Sequence, residues 1–323
     1  MAVAKAGLGY AMIGALGDST VQGGGGGGSI SVPGTSDWLT CLSNILTNAG
    51  YPQSGVVSTA YKGGCVDPRM TVGSGWIPLA IETTLQMNSS TTNALAYAST
   101  NTGTVARVYY ANTGGNFTVS IDGGGGVGVT TTAATSIGTY TVTGLANTTH
   151  TISVTRSSGN AQIFGFEIGM PTSGVRIANS GMGGMSITSL TNSSFFNLTP
   201  AMASATGFNA DLIFMMTEIN DATNGTAVAT YKTSFQSAIT LAKANGASVI
   251  LVTSALSSAA DVTGYTQALY ELADTNNIPL IDIQDRWGSF SSANAFGLYN
   301  DFKHPNAAGN TEIAKAIMNA LAL

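Results

Sequence analysis

The stretch that decides the fold is Ala11-Met12-Ile13-Gly14-Ala15-Leu16-Gly17-Asp18-Ser19-Thr20. Met12, Ile13, Ala15 and Leu16 follow one another with the near-continuous hydrophobicity of a strand covered on both faces, the pattern of a parallel sheet sandwiched by helices. Gly17 ends the run, and a glycine-rich loop follows. Trp38, Leu39, Leu42, Ile45 and Leu46 then recur at three- and four-residue spacing, which predicts a helix. The unit is strand, loop, helix. Met1 to Leu16 also has the single lysine and apolar stretch of a secretion signal, but cleavage near Gly14 to Gly17 would remove the segment that leads into Ser19. A buried first strand is the preferred reading.

The same rhythm returns after Gly174, with strands predicted at Val175 to Ala178, Asp211 to Met216, Ser248 to Thr253 and Ile278 to Ile283. Helical patterns run from Ala227 to Ala244, Val262 to Asn276 and Ala308 to Ala322. Apolar strands alternating with helices predict an α/β fold. Between about Thr83 and Ile168 the character changes to Thr, Ser, Asn and Gly with short alternating runs at Val105 to Tyr110, Phe117 to Ile121, Tyr140 to Thr143, Thr149 to Val154 and Gln162 to Ile168. Asp122-Gly123 and Asn147 fall where hairpin turns are needed. A sandwich or jelly roll is expected there.

Only 8% of the 323 residues are charged, against roughly 25% in a typical soluble chain, and the 16 acidic and 11 basic residues leave a net charge of −5. Without a basic field to neutralise phosphates, nucleic-acid binding is not expected. The apolar runs fall short of the roughly 18–20 residues that span a bilayer, so no transmembrane helix is expected. Two cysteines and two histidines make no zinc-binding spacing, and neither a metal nor a cofactor is expected. Cys41 and Cys65 are either bonded to each other or free and buried. The glycines Gly23 to Gly28 lack the lysine of a Walker loop and the directly following helix of a dinucleotide fingerprint, and read as a surface loop.

Ser19 stands at the C-terminal end of the first strand, where ligands bind in open α/β sheets. A serine hydroxyl needs a base to become a nucleophile. Of the two imidazoles, His150 lies in a β-rich run with no acidic neighbour in sequence and reads as an outward or hairpin-facing side chain. His304 follows Asp301 by three residues, close enough for the carboxylate to fix its tautomer. Acyl transfer further requires oxyanion donors, and the Ser19 N–H, the Gly184 N–H and the Asn220 side chain are the candidates.

These segments, in this order, resemble the four blocks of the SGNH hydrolases, also called GDSL esterases and lipases. Gly17-Asp18-Ser19 is similar to the nucleophile block and Gly184, after Asn179-Ser180-Gly181-Met182-Gly183, to the glycine block. Asn220-Asp221 is similar to the asparagine block and Asp301-x-x-His304-Pro305 to the last. The resemblance covers roughly residues 10–60 and 170–323. It implies a flavodoxin-like α/β/α sandwich with a Ser19–His304–Asp301 triad. The hydrolase domain would comprise residues 1–75 and 170–323, interrupted by a β-sandwich at 76–169 that is a candidate glycan-binding unit.

Two departures stand out. Glu218 replaces the glycine usual two positions before the block's asparagine and is expected near the pocket wall, and the surplus between Ser19 and Gly184 is the β-rich segment. The polar stretch after Ser19 does not suggest a lipase lid, so the expected substrate is a small acyl ester, acetyl foremost, on a glycan. Tyr109 and Tyr110, with Trp76 and Phe117, can stack on sugar rings, although at alternating positions some belong to the core. The alternatives are a glycan-binding adhesin or phage-tail component with secondary or lost hydrolysis, and a lipase or thioesterase. The low charge and abundance of Gly, Ser, Thr and Asn suggest an extracellular or virion-associated protein.

Overall fold

Six parallel strands form the central sheet of the computed structural model: β1 (Tyr10–Gly17), β2 (Gln53–Val57), β3 (Gly174–Gly181), β4 (Leu212–Met216), β5 (Ser248–Val252) and β6 (Leu280–Ile281). Their spatial order is β6-β5-β4-β1-β3-β2, with every neighbouring pair parallel. The structure describes residues 5–6, 8–23, 36–51, 53–57, 61–62, 65–67, 69–79, 84–87, 93–112, 114–170, 173–191 and 210–321. Most of the glycine run, residues 24–28, lies outside them.

Alternation along each strand sends successive side chains to opposite faces. On one face Met12, Leu16, Ala178, Ile213, Met215, Val249 and Leu251 form a single cluster with the helices Val228–Ala244 and Thr263–Asn276. On the other, Ala11, Ile13, Ala15, Val175, Ile177, Phe214, Met216 and Ile250 meet the helices Trp38–Asn48 and Ala307–Ala320. The expected α/β architecture with a parallel sheet is present. The helix at Trp38–Asn48 forms because Asp37 caps it, accepting from the Thr40 N–H at 3.0 Å, and because Trp38, Leu39, Leu42 and Leu46 give it one buried stripe.

Two five-stranded antiparallel sheets occupy the middle of the chain. One contains Met70–Val72, Leu95–Ala98, Phe117–Ile121, Val127–Val129 and Thr151–Arg156. The second contains Trp76–Leu79, Thr84–Met87, Gly103–Ala111, Ile137–Thr148 and Ala161–Gly169. Residues of both sheets share one apolar cluster, in which Tyr97 of the first stacks on Phe166 of the second with ring centroids 5.5 Å apart. Asp122 and Gly123 take φ of 52° and 72° in the turn after Phe117–Ile121, as the Asp-Gly pair predicts. Asn147, expected in a turn, instead continues the strand Ile137–Thr148.

Tyr109 corrects an expectation. It is fully buried, within the same cluster as Met12, Leu16 and the helix Val228–Ala244, so its ring cannot meet a sugar. Its hydroxyl donates to Glu167 and accepts from Arg176, and Glu167 also holds Arg107 at 3.0 Å. This buried charge cluster joins the antiparallel strands to β3, which carries Arg176. Tyr110 is half-buried, packed edge-on against Phe117 at 5.0 Å with its ring over Gly138. Trp76 and Phe117 are likewise buried. The inward positions of these strands took the aromatics that the sequence offered as sugar platforms.

Candidate active site

The ends of three adjacent strands are in register: Gly17 of β1 pairs with Gly181 of β3 on one side and with Met216 of β4 on the other. Ser19, Gly183, Gly184 and Asn220 therefore leave the same sheet edge within four residues of the last paired position. Ser19 opens a four-residue helix, Ser19–Gln22, capped by Asp18, whose carboxylate accepts from the Thr20 N–H at 2.9 Å. The helix lies close against the sheet only because Gly17 and Gly181 lack side chains. A Cβ at Gly17 would come within 2.2 Å of the Met216 carbonyl oxygen, and one at Gly181 within 2.0 Å of the Gln22 nitrogen.

Asn179 fixes this corner, donating to the Val21 carbonyl at 2.9 Å and accepting from the Gly181 N–H at 2.8 Å. Gln22 accepts from the Gly183 N–H at 2.9 Å, and a Cβ on Gly183 would stand 3.7 Å from that of Ser19. The backbone entering Gly184, at φ 75°, thus runs beside the Ser19 side chain. Asn220 sits in the short helix Ile219–Thr223 and donates to the Met185 carbonyl at 3.1 Å, which ties it to the same loop and engages one of its two amide hydrogens. Asp221 accepts from the Ile187 N–H at 2.8 Å.

From the far end of the chain comes the loop before the helix Ala307–Ala320. It is closed by a bridge between Tyr299 and Pro305 and by the Asn300 N–H donating to the His304 carbonyl at 2.9 Å. Asn306 caps the helix, accepting from the N–H groups of Ala308 and Gly309. Within the loop one Asp301 oxygen accepts from the backbone N–H groups of Lys303 and His304, both at 2.8 Å. The other lies 2.7 Å from His304 Nδ1. On the opposite side of the ring, His304 Nε2 lies 2.9 Å from Ser19 Oγ. Ser19 and His304 are both buried, with 8% and 4% exposure, whereas the Asp301 side chain keeps 25%.

The electrostatics follow from these contacts. Burial raises the Asp301 carboxyl, but the hydrogen bonds from the His304 ring and from the His304 and Lys303 N–H groups outweigh it and hold the group below the ordinary carboxylate range. Burial pushes Asp18 up to about 6, against the Thr20 N–H and the nearby His304, which draw it down. Burial also raises Asp221. A hydroxyl, an imidazole and a carboxylate in hydrogen-bonded sequence is an arrangement able to move a proton from the hydroxyl to the ring while the carboxylate stabilises the cation so formed.

No family model matches the sequence, and no curated protein matches it. Among solved structures, a peptidoglycan O-acetylesterase superposes over 99% of this chain and 93% of its own, with a TM-score of 0.72 and 16% identity. The two share a fold. A family two carbohydrate esterase from Cellvibrio japonicus is also similar, over 79% of this chain and 95% of its own at 14% identity, but its TM-score of 0.34 is too low to add to that statement.

Two residues, one beside the sheet edge that carries Ser19 and one in the antiparallel region, lie elsewhere than the sequence suggests. Glu218 is not at a pocket wall: it is fully buried, accepts from the Ser254 N–H, and lies 2.7 Å from Thr266 Oγ1. Burial, against the hydrogen bonds from Ser254 and Thr266, pushes its carboxyl up to about 8, which disfavours the expected charge. His150 is not outward-facing. It is buried, with Nδ1 2.6 Å from Asp122 and Nε2 2.8 Å from the Ala146 carbonyl oxygen. Asp122 lies 28 residues away, so strand pairing rather than sequence proximity supplies the acid. Asp18 and Asn179 stand out in the sequence only as parts of the blocks and Gln22 not at all, and their hydrogen bonds show how they position the corner. Cys41 carries a free thiol. Among the described residues no group of His, Cys, Asp and Glu is arranged to hold a metal, and no helix is long and apolar enough to cross a membrane.

Proposed function

We propose that this protein is an SGNH-type serine esterase that hydrolyses small acyl esters, acetyl foremost, on carbohydrate. The observation that carries the reading is the relay from Ser19 Oγ through His304 to Asp301, at 2.9 and 2.7 Å. Ser19 attacks the ester carbonyl carbon as its proton passes to His304 Nε2. The tetrahedral intermediate collapses, the sugar oxygen leaves with that proton, and an acyl-enzyme remains. Water then attacks, giving its proton to His304, and Ser19 recovers a proton as the free acid departs. Asp301 holds the ring with Nδ1 protonated, so that Nε2 faces Ser19 as a base.

The oxyanion is assigned to the N–H groups of Ser19 and Gly184 and to the Asn220 amide. Supporting this assignment, all three leave the sheet edge where β1, β3 and β4 are in register, and Asn220 keeps one amide hydrogen beyond the one given to Met185. The carbohydrate assignment draws on the fold shared with a peptidoglycan O-acetylesterase and on the polar residues after Ser19. On the same reading, residues 76–169 are a β-sandwich inserted between the two parts of the hydrolase domain, 1–75 and 170–323. The protein acts outside the cell, on an acylated surface glycan.

The test is acetate release from a panel of acetylated oligosaccharides, peptidoglycan fragments included, beside fatty-acyl esters and acyl thioesters. Acetate release that fails in Ser19→Ala supports the reading. Turnover of long-chain esters alone would make the protein a lipase, and turnover of thioesters alone a thioesterase. Glycan binding without any turnover would make it an adhesin.

A further inference from the structure

We propose that Glu218 is a positioning residue for Asn220 and performs this role as a neutral carboxylic acid. The inference rests on the esterase reading and on the role given there to Asn220. Glu218 occupies the cap position of the helix Ile219–Thr223, yet its side chain makes no cap hydrogen bond to that helix. It turns instead into the interior at the end of β5. One oxygen accepts from the Ser254 N–H, and the other lies 2.7 Å from Thr266 Oγ1 and 3.4 Å from Gln284 Nε2. The turn that presents Asn220 is thereby tied to β5, to the helix Thr263–Asn276 and to the helix Ile283–Trp287.

The protons around Glu218 can be counted. Thr266 has one hydroxyl hydrogen but faces three acceptors: Glu218 at 2.7 Å, the Val262 carbonyl at 3.1 Å and Gln284 Oε1 at 3.1 Å. If Glu218 is ionised, that single hydrogen serves the carboxylate and Gln284 Oε1 goes short, whereas the Val262 carbonyl keeps the backbone N–H groups of Tyr265 and Thr266. If Glu218 is protonated, it donates to Thr266 Oγ1, whose own hydrogen passes on to Gln284 Oε1, and the chain closes.

Charge agrees with the count. The titratable groups around Glu218 are Asp282 at the head of the helix Ile283–Trp287, Asp221 on its own turn and the Tyr231 phenol, which donates to the Thr217 carbonyl at 2.7 Å. No salt bridge among the described residues includes Glu218. A fully buried carboxylate without a cation is strongly disfavoured, and burial pushes this group up to about 8. Raising the pH through that value places an unpaired charge near the Asp282 carboxylate and breaks the chain of donors. The turn then yields, and Asn220 with it.

The experiment is the pH dependence of kcat for a soluble acetyl ester, corrected for spontaneous hydrolysis. Wild type should lose about tenfold at pH 9, the protonated fraction of a group titrating near 8. KM should change little, because a transition-state donor is what is misplaced. Glu218→Gln keeps an acceptor for Ser254 and a donor for Thr266, and should retain neutral activity without the alkaline loss. Asn220→Ala should also lack the alkaline loss, since no amide is left to misplace. An unchanged alkaline loss in Glu218→Gln or in Asn220→Ala would overturn the proposal.

A second readout needs neither turnover nor a folded variant. In protein carrying δ-13C-glutamate, one of the five glutamate resonances should titrate near pH 8. If all five titrate in the ordinary acidic range, the proposal fails by itself. Absence of esterase activity in wild type would instead end the reading of the preceding section.

Discussion

Replacing Asp301 by Asn changes one atom and should nearly abolish turnover. One oxygen of Asp301 accepts two backbone N–H groups, those of Lys303 and His304 at 2.8 Å, and the other faces His304 Nδ1 at 2.7 Å. An asparagine there has no free choice of orientation. Its carbonyl oxygen must take the side facing the two N–H donors, because an NH2 group would meet them donor to donor. The NH2 group is then aimed at Nδ1, which can accept only if the ring proton moves to Nε2. That proton points at Ser19 Oγ, 2.9 Å away, and the imidazole can no longer act as the base. The wrong tautomer in a serine triad costs on the order of 10⁴ in kcat, or roughly 5 kcal/mol of barrier. The assay is steady-state hydrolysis of a chromogenic acetyl ester at pH 7, with thermal unfolding measured alongside. The melting temperature should stay within a few degrees of wild type, since both backbone hydrogen bonds survive. An Asp301→Asn enzyme with more than about a tenth of wild-type kcat would refute the tautomer argument.

On the proposed reading Asn220→Ala removes one oxyanion donor, and it should lower kcat about 10²- to 10³-fold at neutral pH with an unchanged circular dichroism spectrum; undiminished turnover would remove Asn220 from the site. Asp18, raised from 3.8 to about 6, contributes stability that is complete below 3.8 and lost as the pH rises through 6. Asp18→Asn should therefore be more stable than wild type at pH 7, by up to about 3 kcal/mol in urea unfolding, while turning over more slowly for want of the negative charge beside the His304 cation. For His150, burial lowers the imidazole, but its bonds to Asp122 and to the Ala146 and Gly103 carbonyls raise it on balance above the ordinary 6.5. That stabilisation is full below 6.5 and lost as the pH rises through the raised value, so the gap in melting temperature between wild type and His150→Gln should narrow between pH 6 and 9.

Much of this was legible in the sequence because periodicity and strand ends are local signals. The apolar runs at Met12 to Leu16 and Asp211 to Met216 located β1 and β4, and Ser19 and Asn220 stand at their C-terminal ends as expected. Asp301 and His304 are three residues apart, so their contact follows from one turn of loop. Apart from the Ser19–His304 pairing that the resemblance implied, what could not be read was contact between segments distant in sequence. Tyr109 looked like a sugar platform until the strand Gly103–Ala111 was seen to present it to the α/β core, where Glu167 and Arg176 satisfy its hydroxyl. His150 appeared to lack an acid because Asp122 reaches it only through the pairing of Phe117–Ile121 with Thr151–Arg156. Glu218 looked like an added charge because its partners, Ser254, Thr266 and Gln284, lie on three later elements. The short helices at Ile219–Thr223, Ile283–Trp287 and Phe290–Ala295 were missed since none is long enough to show a 3.6-residue period.

The most direct measurement is labelling with a fluorophosphonate, which reacts only with a serine activated by its neighbours. Intact-mass and peptide analysis should place a single adduct on Ser19, and Ser19→Ala should take none. Wild-type protein that stays unmodified, or an adduct that persists in Ser19→Ala, would contradict the assignment of Ser19, His304 and Asp301 as a catalytic relay.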